Sequence, residues 1–343
     1  MIYTYLFLIA AMLFLIFIIY NKTRKNFVLC LMYHNVDNEK GKGGIFVDDF
    51  EEYIKWIKDK KSFKMEELKQ MNYTLPQNSI LITFDDGYKN NYTLAFPILK
   101  KYNMKATIFL NTKFIGKDKA YLNWDEIREM YESGLVDFQL HTHSHQFTIK
   151  DVEVSAFYNE ESSPYFKRES YNLFFDEDYD EKRDIEKLDG LPIFKLRSKI
   201  AIPGYKLKKD FLKKYQDIAE LQENNKSEKE KINFLNKLFK ERENEFFDKI
   251  TEEEFKKIVE FEILENKKII EKELGKNSDC LAYPWGHRYT GNHEDIRKLG
   301  VDVFITTKKG LNSLKLNKNW IYRVNGDGVH HRKLWNVFVK RFK

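Results

Sequence analysis

The 343-residue sequence predicts an α/β fold, a mainly parallel sheet or barrel of βα units that is split by a charged insertion. Two observations lead to this prediction. Short apolar runs alternate with amphipathic helical stretches up to about residue 145, and the same alternation resumes after residue 250. Between these regions the chain is dense in Lys, Glu and Asn. Because neither half alone holds enough strands, we expect both halves to contribute to one sheet.

The composition narrows the class of protein further. The chain has 28 Phe and 20 Tyr, enough to fill a substantial core, which excludes a disordered protein. Two cysteines exclude a disulfide scaffold and a Cys-based zinc finger. The net charge is +6, and both signs are dispersed along the chain. Since no dense basic patch occurs, we expect no nucleic-acid partner.

The amino terminus predicts a membrane anchor. Residues 1–20 carry no charged side chain, and a helix of that length spans the hydrocarbon layer once. A basic region before the run and a small-residue cleavage site are both missing, which favours an uncleaved anchor over a signal peptide. We therefore assign residues 1–26 to a transmembrane helix and its basic flank. The basic residues that follow the run would place the rest of the chain in the cytoplasm, but the side of the membrane stays open.

Residues 27–145 predict the first part of the barrel. Apolar, β-prone runs favour buried strands at 27–33, 79–84, 106–110 and 135–140. Amphipathic stretches between them favour helices. One of these helices opens at a capping box formed by Asn123 and Glu126 and closes at Gly134.

Residues 146–250 predict a charged, mostly helical insertion, and residues 251–343 the second part of the barrel. The insertion could cover a substrate groove, set chain length or bind a protein partner. After it, Thr251 and Glu254 form a capping box that opens a long helix ending at Gly275. Strands are predicted again at 280–283 and 301–306.

Two adjacent aspartates follow a predicted buried strand. Asp85 and Asp86 stand in the segment Thr-Phe-Asp-Asp-Gly-Tyr, and neighbouring buried carboxylates are costly without a cation or a proton. Gly87 permits a tight turn, so that both side chains can face the end of the sheet where α/β folds bind ligands. Taken alone, an Asp-Asp-Gly tripeptide is more often a solvated turn.

Three of the eight histidines fall within five residues, also directly after a predicted strand. The segment is His141-Thr142-His143-Ser144-His145, in which His141 and His145 can converge on one ion. Imidazoles together with a carboxylate suit Zn²⁺ with an open position for water.

These two segments support one mechanism for hydrolysis. Asp86, His141 and His145 would hold the ion, which activates a water and polarises a bound carbonyl. Asp85, close but uncoordinated, would take the proton of that water. The backbone N–H of Tyr88 would stabilise the oxyanion. An amide leaving group also requires a general acid.

The same residues resemble those of a known family, the polysaccharide deacetylases with the NodB-homology fold of carbohydrate esterase family 4. Asp85-Asp86 is similar to the first motif of that family, and His141-Thr142-x-x-His145 to the second. Ala282-Tyr283-Pro284-Trp285-Gly286 resembles the third, a loop that lines the substrate groove. The start Met32-Tyr33-His34-Asn35-Val36 resembles the branch of poly-N-acetylglucosamine deacetylases. The likeness covers about residues 29–145 and 255–325.

The resemblance implies a deformed (β/α) barrel, a divalent metal that is most consistent with Zn²⁺, and removal of an N-acyl group from an amino sugar. If the matching residues have the roles that the motifs have in the family, Asp85 is the base, and the metal ligands are Asp86, His141 and His145. His34 is then a candidate general acid, with His330 and His331 as alternatives. Tyr88, Tyr283, Pro284 and Trp285 are candidate substrate or oxyanion residues. The arginine of the third motif is missing, and Arg323 is a candidate for its role.

Three functions remain in competition at this point. The leading hypothesis is a membrane-anchored, metal-dependent deacetylase of an N-acetylated glycan. A second keeps the chemistry but acts on a lipid-linked amino sugar at the cytoplasmic face, as a deacetylase or deformylase. A third, from another class, is an inactive membrane-tethered glycan-binding module. The intact Asp85, Asp86, His141 and His145 disfavour the third, because a pure binding protein has no need of this costly cluster.

Overall fold

The computed structural model describes residues 27–41, 43–221 and 226–327, together with Tyr5 and Met12. The predicted anchor of residues 1–20 therefore lies outside the described residues except at those two positions, as do His330 and His331. Within the described ranges, no helix combines the length and the apolar character needed to cross a bilayer.

The chain contains fifteen strands in its described part. In chain order they are β1 (Phe27–Tyr33), β2 (Val36–Asp37), β3 (Ile45–Phe46), β4 (Lys61–Phe63), β5 (Ser79–Asp86), β6 (Ala106–Leu110), β7 (Val136–Leu140), β8 (Phe147–Phe157), β9 (Pro192–Ser198), β10 (Tyr205–Leu207), β11 (Phe247–Lys249), β12 (Cys280–Ala282), β13 (Val303–Ile305), β14 (Asn312–Ser313) and β15 (Val324–Asn325).

The α-helices are interspersed among these strands. They are α1 (Val47–Ile57), α2 (Glu67–Gln70), α3 (Phe96–Tyr102), α4 (Trp124–Glu132), α5 (Pro164–Tyr171), α6 (Glu181–Asp184), α7 (Phe211–Leu221), α8 (Glu228–Glu241), α9 (Glu243–Phe246), α10 (Glu252–Leu274) and α11 (His293–Arg297). The predicted capping box at α4 is confirmed, because the Asn123 side chain accepts from the Glu126 N–H and Glu126 accepts in return from Asn123.

The chain divides into two compact units. The first comprises residues 1–143, 265–286 and 300–343, and the second comprises residues 144–264 and 287–299. The first unit holds a nine-stranded sheet in the order β13-β12-β7-β6-β5-β1-β14, with β15 beside β1 and β4 beside β5. All its pairings are parallel except that of β1 with β14. The predicted α/β class is confirmed, as is the prediction that both halves of the chain contribute to one sheet. The sheet has the form of a half-barrel.

The central strands of this sheet are apolar because both of their faces are covered. All eight residues of β5 and all five of β6 and of β7 are buried, as is typical of parallel strands flanked by helices. On one face, the rings of Tyr33, Phe50 and Phe84 pack against each other with centroids 5.3 to 5.8 Å apart. Fully buried aromatic rings of this size contribute a large share of the hydrophobic stabilisation.

The second unit corrects the prediction of a mostly helical insertion. It contains helices, but also a four-stranded antiparallel sheet in the order β11-β10-β8-β9. Along β8, buried Val152 and Val154 alternate with exposed Asp151, Glu153 and Ser155. The charged residues of this strand thus belong to one solvated face of a sheet, a pattern with a period of two rather than 3.6.

Aromatic side chains form the core of the second unit. Phe194, Phe211, Phe239 and Phe247 lie with ring centroids 5.4 to 6.1 Å apart, and the sheet and helices both contribute to this cluster. The insertion therefore has a hydrophobic core of its own, which a solvated helical excursion would not have.

Candidate active site

The two adjacent aspartates occupy the carboxyl end of β5. Both side chains are buried, and Gly87 turns the chain directly after them with φ +77°. A Cβ at Gly87 would lie 2.5 Å from Leu110 Cδ2, so this turn requires glycine. Asp86 itself has φ 75°, a left-handed backbone conformation that aspartate tolerates better than most residues.

Strand register explains why distant residues meet at this end of the sheet. Asp86 pairs with Leu110 of β6, which in turn pairs with Leu140 of β7, so the residue after β7, His141, emerges near Asp86. The measured distance from His141 Nε2 to Asp86 Oδ1 is 3.4 Å.

The orientation of the His141 ring is fixed by two contacts. Its Nδ1 lies 2.8 Å from the carbonyl oxygen of Ala282, and a carbonyl only accepts, so the proton sits on Nδ1. Its backbone N–H donates to Asn266 Oδ1 at 3.1 Å. The lone pair of Nε2 is thereby directed to the Asp86 carboxylate, the arrangement that a histidine ligand of a metal needs.

His145 follows four residues later and completes a set of three ligand atoms. Asp86, His141 and His145 each offer one atom, and these atoms all lie within 4.8 Å of one another. Each side chain is at most 3% exposed. Thr142 and His145 also adopt left-handed backbone angles, with φ 68° and 57°, a strain that persists only where the surrounding structure imposes it.

The chemistry of this donor set fits a divalent ion. Two imidazoles and one carboxylate, buried and convergent, match a zinc site of three protein ligands with a fourth position left for water. Burying the charge of Asp86 among imidazoles is otherwise unfavourable.

Asp85 lies next to this cluster but has a different partner. The Arg323 guanidinium donates to both of its oxygens, with NH1 2.6 Å from Oδ1 and NH2 2.7 Å from Oδ2. The Arg323 side chain is fully buried, and its Nε donates to the Thr306 carbonyl at 2.9 Å. Burial raises the pKa of Asp85, but the charge and hydrogen bonds of Arg323 together with the nearby His141 and His34 lower it more, and the net pKa falls below its ordinary value.

His34 stands on the other side of Asp85. Because Tyr33 pairs with Phe84, the next residues His34 and Asp85 are neighbours, and His34 Nε2 lies 3.9 Å from Asp85 Oδ2. The His34 Nδ1 lies 2.5 Å from Asp327 Oδ2, and its backbone N–H donates to Asp327 Oδ1 at 3.1 Å. Burial lowers the pKa of His34, but the hydrogen bond and charge of Asp327 outweigh it and raise that pKa to about 9.

The four candidate substrate residues occupy different environments. Tyr88 is half-buried and its ring stacks on Tyr121 with centroids 5.1 Å apart. Trp285 is half-buried and has φ 60°, which is rare for so bulky a residue. Tyr283, a candidate substrate or oxyanion residue, has its ring buried against Phe304. Pro284 is buried as well.

Sequence reasoning missed two residues at this end of the sheet. Asp327 follows β15, and the pairing of Met32 with Asn325 brings it beside His34. Asn266 lies on α10 and holds the His141 segment by accepting from His141 N–H and donating to Leu110 O. Asp327 shares with Asp85 the signal of an acid directly after a strand. Asn266 has no such signal, since it stands in the middle of a charged helix.

Comparison with known proteins agrees with this geometry. Residues 72–173 match the model of the polysaccharide deacetylase family. The protein YxkH of Bacillus subtilis (strain 168), assigned to the polysaccharide deacetylases, is 37% identical over 121 residues, which cover 34% of this chain and 42% of that protein. The poly-β-1,6-N-acetyl-D-glucosamine N-deacetylase of Staphylococcus aureus (strain MSSA476) is 34% identical over 135 residues, which cover 36% of this chain and 46% of that enzyme. The chain thus spans less than half the length of these relatives.

Solved structures show the same fold. The de-N-acetylase from Aggregatibacter actinomycetemcomitans superimposes with a TM-score of 0.56 at 16% identity, over 87% of this chain and 94% of that one. IcaB from Ammonifex degensii does so with a TM-score of 0.55 at 16% identity, over 93% and 98% of the two chains. The family match thus covers residues 72–173, and the solved structures share the fold of the larger part of the chain.

Proposed function

We propose that the protein is a metal-dependent deacetylase that hydrolyses the acetamide of an N-acetylated amino sugar in a glycan. The observation that carries this proposal is the convergence of Asp86, His141 and His145 directly beside the Arg323-bound carboxylate of Asp85. The name of the Staphylococcus aureus relative, which acts on poly-β-1,6-N-acetyl-D-glucosamine, supports this class of substrate.

Asp86, His141 and His145 are the proposed ligands. They would hold a divalent ion, which we assign as Zn²⁺, and when bound it would supply the Lewis acidity that activates a water and polarises the acetamide carbonyl. The fixed Nδ1–H of His141 keeps the opposite nitrogen available as a ligand.

Asp85 is the proposed general base. A carboxylate has about four acceptor positions, and Arg323 occupies one on each oxygen, so a position on each remains for the proton of the attacking water. The lowered pKa keeps this carboxylate ionised at neutral pH. Arg323 orients it and compensates its charge.

His34 is the proposed general acid. With its pKa raised to about 9, the ring is protonated at neutral pH. Asp327 accepts from Nδ1, which leaves the Nε2–H to protonate the departing amine nitrogen as the C–N bond breaks. The products are acetate and the free amino sugar.

Other contacts of the substrate belong to the same proposal. The Tyr88 backbone N–H, which follows the Gly87 turn, would donate to the developing oxyanion. The half-exposed Trp285 ring would stack on a sugar face. We further propose that residues 1–20 attach the protein to a membrane, because that run is uncharged and long enough to span one.

Acetate release tests the proposed activity. The purified protein, loaded with one equivalent of Zn²⁺, is incubated with a panel that contains oligomers of β-1,6-linked N-acetylglucosamine, N-formylated amino sugars and lipid-linked amino sugars. It should release acetate from the oligomers, detected by mass spectrometry. An Asp85→Asn variant serves as the matched control. Release of formate, or activity restricted to lipid-linked amino sugars, would replace the proposed substrate. Metal binding without hydrolysis of any member of the panel would contradict the enzyme hypothesis.

A further inference from the structure

Helix α5 of the insertion brings two polar side chains against the ring of His145. Tyr165 and Glu169 are four residues apart and therefore lie on one face of the helix. The Glu169 Oε2 lies 3.5 Å from His145 Nδ1, and the Tyr165 hydroxyl lies 3.3 Å from the same nitrogen. The Glu169 side chain is 0% exposed.

These contacts bear on which nitrogen of His145 carries the proton. When the Glu169 carboxyl is ionised, its position 3.5 Å from Nδ1 favours a proton on that nitrogen, because a lone pair there would face a negative charge. The Tyr165 hydroxyl oxygen can accept from the same N–H, as a hydroxyl accepts as well as donates. The lone pair of His145 is then on Nε2, the nitrogen turned away from α5.

We infer that Glu169 is a positioning residue for His145: it selects the tautomer whose Nε2 can bind a metal, and it makes that nitrogen a stronger ligand. This inference rests on the proposed function only in taking His145 as a ligand. It gives the inserted segment a part in metal binding. The ring of His141 is held differently, by the backbone carbonyl of Ala282.

Two other buried acids of the same unit contact cations and do not contact a histidine in the described contacts. Asp184 is equally buried, but it lies 2.6 Å from Arg183 NH2 and 2.9 Å from Lys187 Nζ. Glu262 accepts from Ser144 N–H and hydroxyl at 2.8 and 2.6 Å and lies 3.2 Å from Lys199. Asp184 is thus bound by cations of its own segment and distant in sequence from the histidines, which makes it the matched control.

Metal affinity provides the first test. The Kd of metal-free, full-length protein for Zn²⁺ is measured by competition with a chelator. Glu169→Gln keeps the shape but removes the charge, and we expect affinity to fall about 10- to 100-fold, the usual effect of removing such a partner. Glu169→Asp should retain part of the affinity, and Asp184→Asn should match the wild type. Unchanged affinity in Glu169→Gln would overturn the inference.

The tautomer provides a second test that a merely structural role would not affect. The ¹⁵N shifts of the His145 ring in the metal-free protein distinguish Nδ1–H from Nε2–H. We expect Nδ1–H in the wild type and in Asp184→Asn, and a larger share of Nε2–H in Glu169→Gln. An Nε2–H ring in the wild type would overturn the inference. If the wild type binds no metal at all, the proposed function fails as well, whereas normal binding by Glu169→Gln removes only the role of Glu169.

Discussion

The two ends of the parallel sheet in the first unit both bury acidic side chains but compensate their charge differently. At the amino ends of β7 and β12, fully buried Asp137 contacts the ammonium of Lys276, which also lies 3.6 Å from Glu66. At the carboxyl ends, Asp85 has Arg323, but Asp86 faces the imidazole of His141. Asp137, Glu66 and Asp85 thus each lie beside a lysine or an arginine, whereas the contact described for Asp86 is with an imidazole.

This difference distinguishes a buried acid that only supports the fold from a buried acid that can bind a ligand. A buried carboxylate that pairs with a lysine or an arginine has its charge compensated within the chain, and removing either partner leaves the other charge buried and uncompensated. A buried carboxylate that lies among imidazoles has a donor set to which a divalent cation can bind, and such a cation would compensate its charge. Five substitutions test this difference between the two ends of the sheet.

The largest effect is expected from removing a proposed ligand. His141→Ala should lose bound Zn²⁺, and its rate of acetate release should fall by on the order of 10³-fold or more, because the ion contributes several kcal/mol to the transition state. Elemental analysis gives the metal content. Asp137→Asn, at the opposite end of the sheet, is the control and should retain a full equivalent. Equal metal content in both variants would contradict the distinction between the two ends.

Asp85→Asn should separate turnover from metal binding. We expect kcat to fall about 10²- to 10⁴-fold, the usual contribution of a general base, with the metal content unchanged. The substitution also leaves Arg323 buried without its partner, which should lower the free energy of unfolding by about 3–5 kcal/mol. The double variant Asp85→Asn/Arg323→Met should regain stability in urea unfolding but not activity. Recovered turnover would show that Asp85 is not the base.

Lys276→Met should affect stability alone. It leaves Asp137 and Glu66 without the buried ammonium, so the free energy of unfolding should fall by about 3–5 kcal/mol. Urea unfolding measures this change. Metal content and kcat of the folded variant should equal those of the wild type. A loss of metal in this variant would mean that the two ends are coupled.

Asp327→Asn should shift the pH dependence of activity. Burial lowers the pKa of His34, but Asp327 and the other nearby carboxylates raise it to about 9 in the folded protein. The protonated, acidic form of His34 is therefore lost as pH rises through that value. A bound divalent ion moves the loss to lower pH, since its charge disfavours the imidazolium. In Asp327→Asn the alkaline limb of the kcat profile should move further towards the ordinary value of 6.5. An unmoved limb would remove His34 as the acid.

The same pair contributes to stability with a defined sign. Because the folded pKa of His34 lies above its unfolded value, the stabilisation by Asp327 is complete below about pH 6.5 and is lost as pH rises to about 9. Unfolding of the metal-free protein at several pH values should show this loss in the wild type and not in Asp327→Asn.

The smallest effect is expected at an exposed charge of the amino end. Lys69 is 64% exposed and lies 3.8 Å from Asp279 and 3.6 Å from Asp302. Lys69→Ala should change the free energy of unfolding by less than about 1 kcal/mol, because water screens exposed pairs. A change as large as that of Lys276→Met would show that the number of charges, rather than their burial, decides stability here.

The sequence predicted the parts of the site that depend on local pattern. Asp85, Asp86 and His141 directly follow apolar runs, and parallel strands place their carboxyl ends at one edge. Arg323 was a candidate because the third motif lacks its usual arginine. In the structure the Arg323 guanidinium donates to the Asp85 carboxylate. The role of each residue stays a prediction until the variants are measured.

Other features depend on long-range pairing that no local pattern encodes. Asp327 meets His34 through the register of β1 and β15, which are nearly 300 residues apart. The sheet of the second unit was missed because the many charged residues of this region were interpreted as the exposed face of helices. Along β8 they in fact alternate with buried residues, which is the pattern of a strand. The burial of the Tyr283 ring against Phe304 likewise depends on tertiary packing, and its role as a substrate or oxyanion residue stays a prediction.

The most direct test of the metal centre is a titration of metal-free protein with Zn²⁺ while binding and acetate release are followed together. We predict that activity is absent without metal, rises to a plateau at one equivalent, and is lost in parallel with binding when Asp86, His141 or His145 is replaced. Hydrolysis by the metal-free protein, or one tightly bound equivalent that survives replacement of all three residues, would contradict the account.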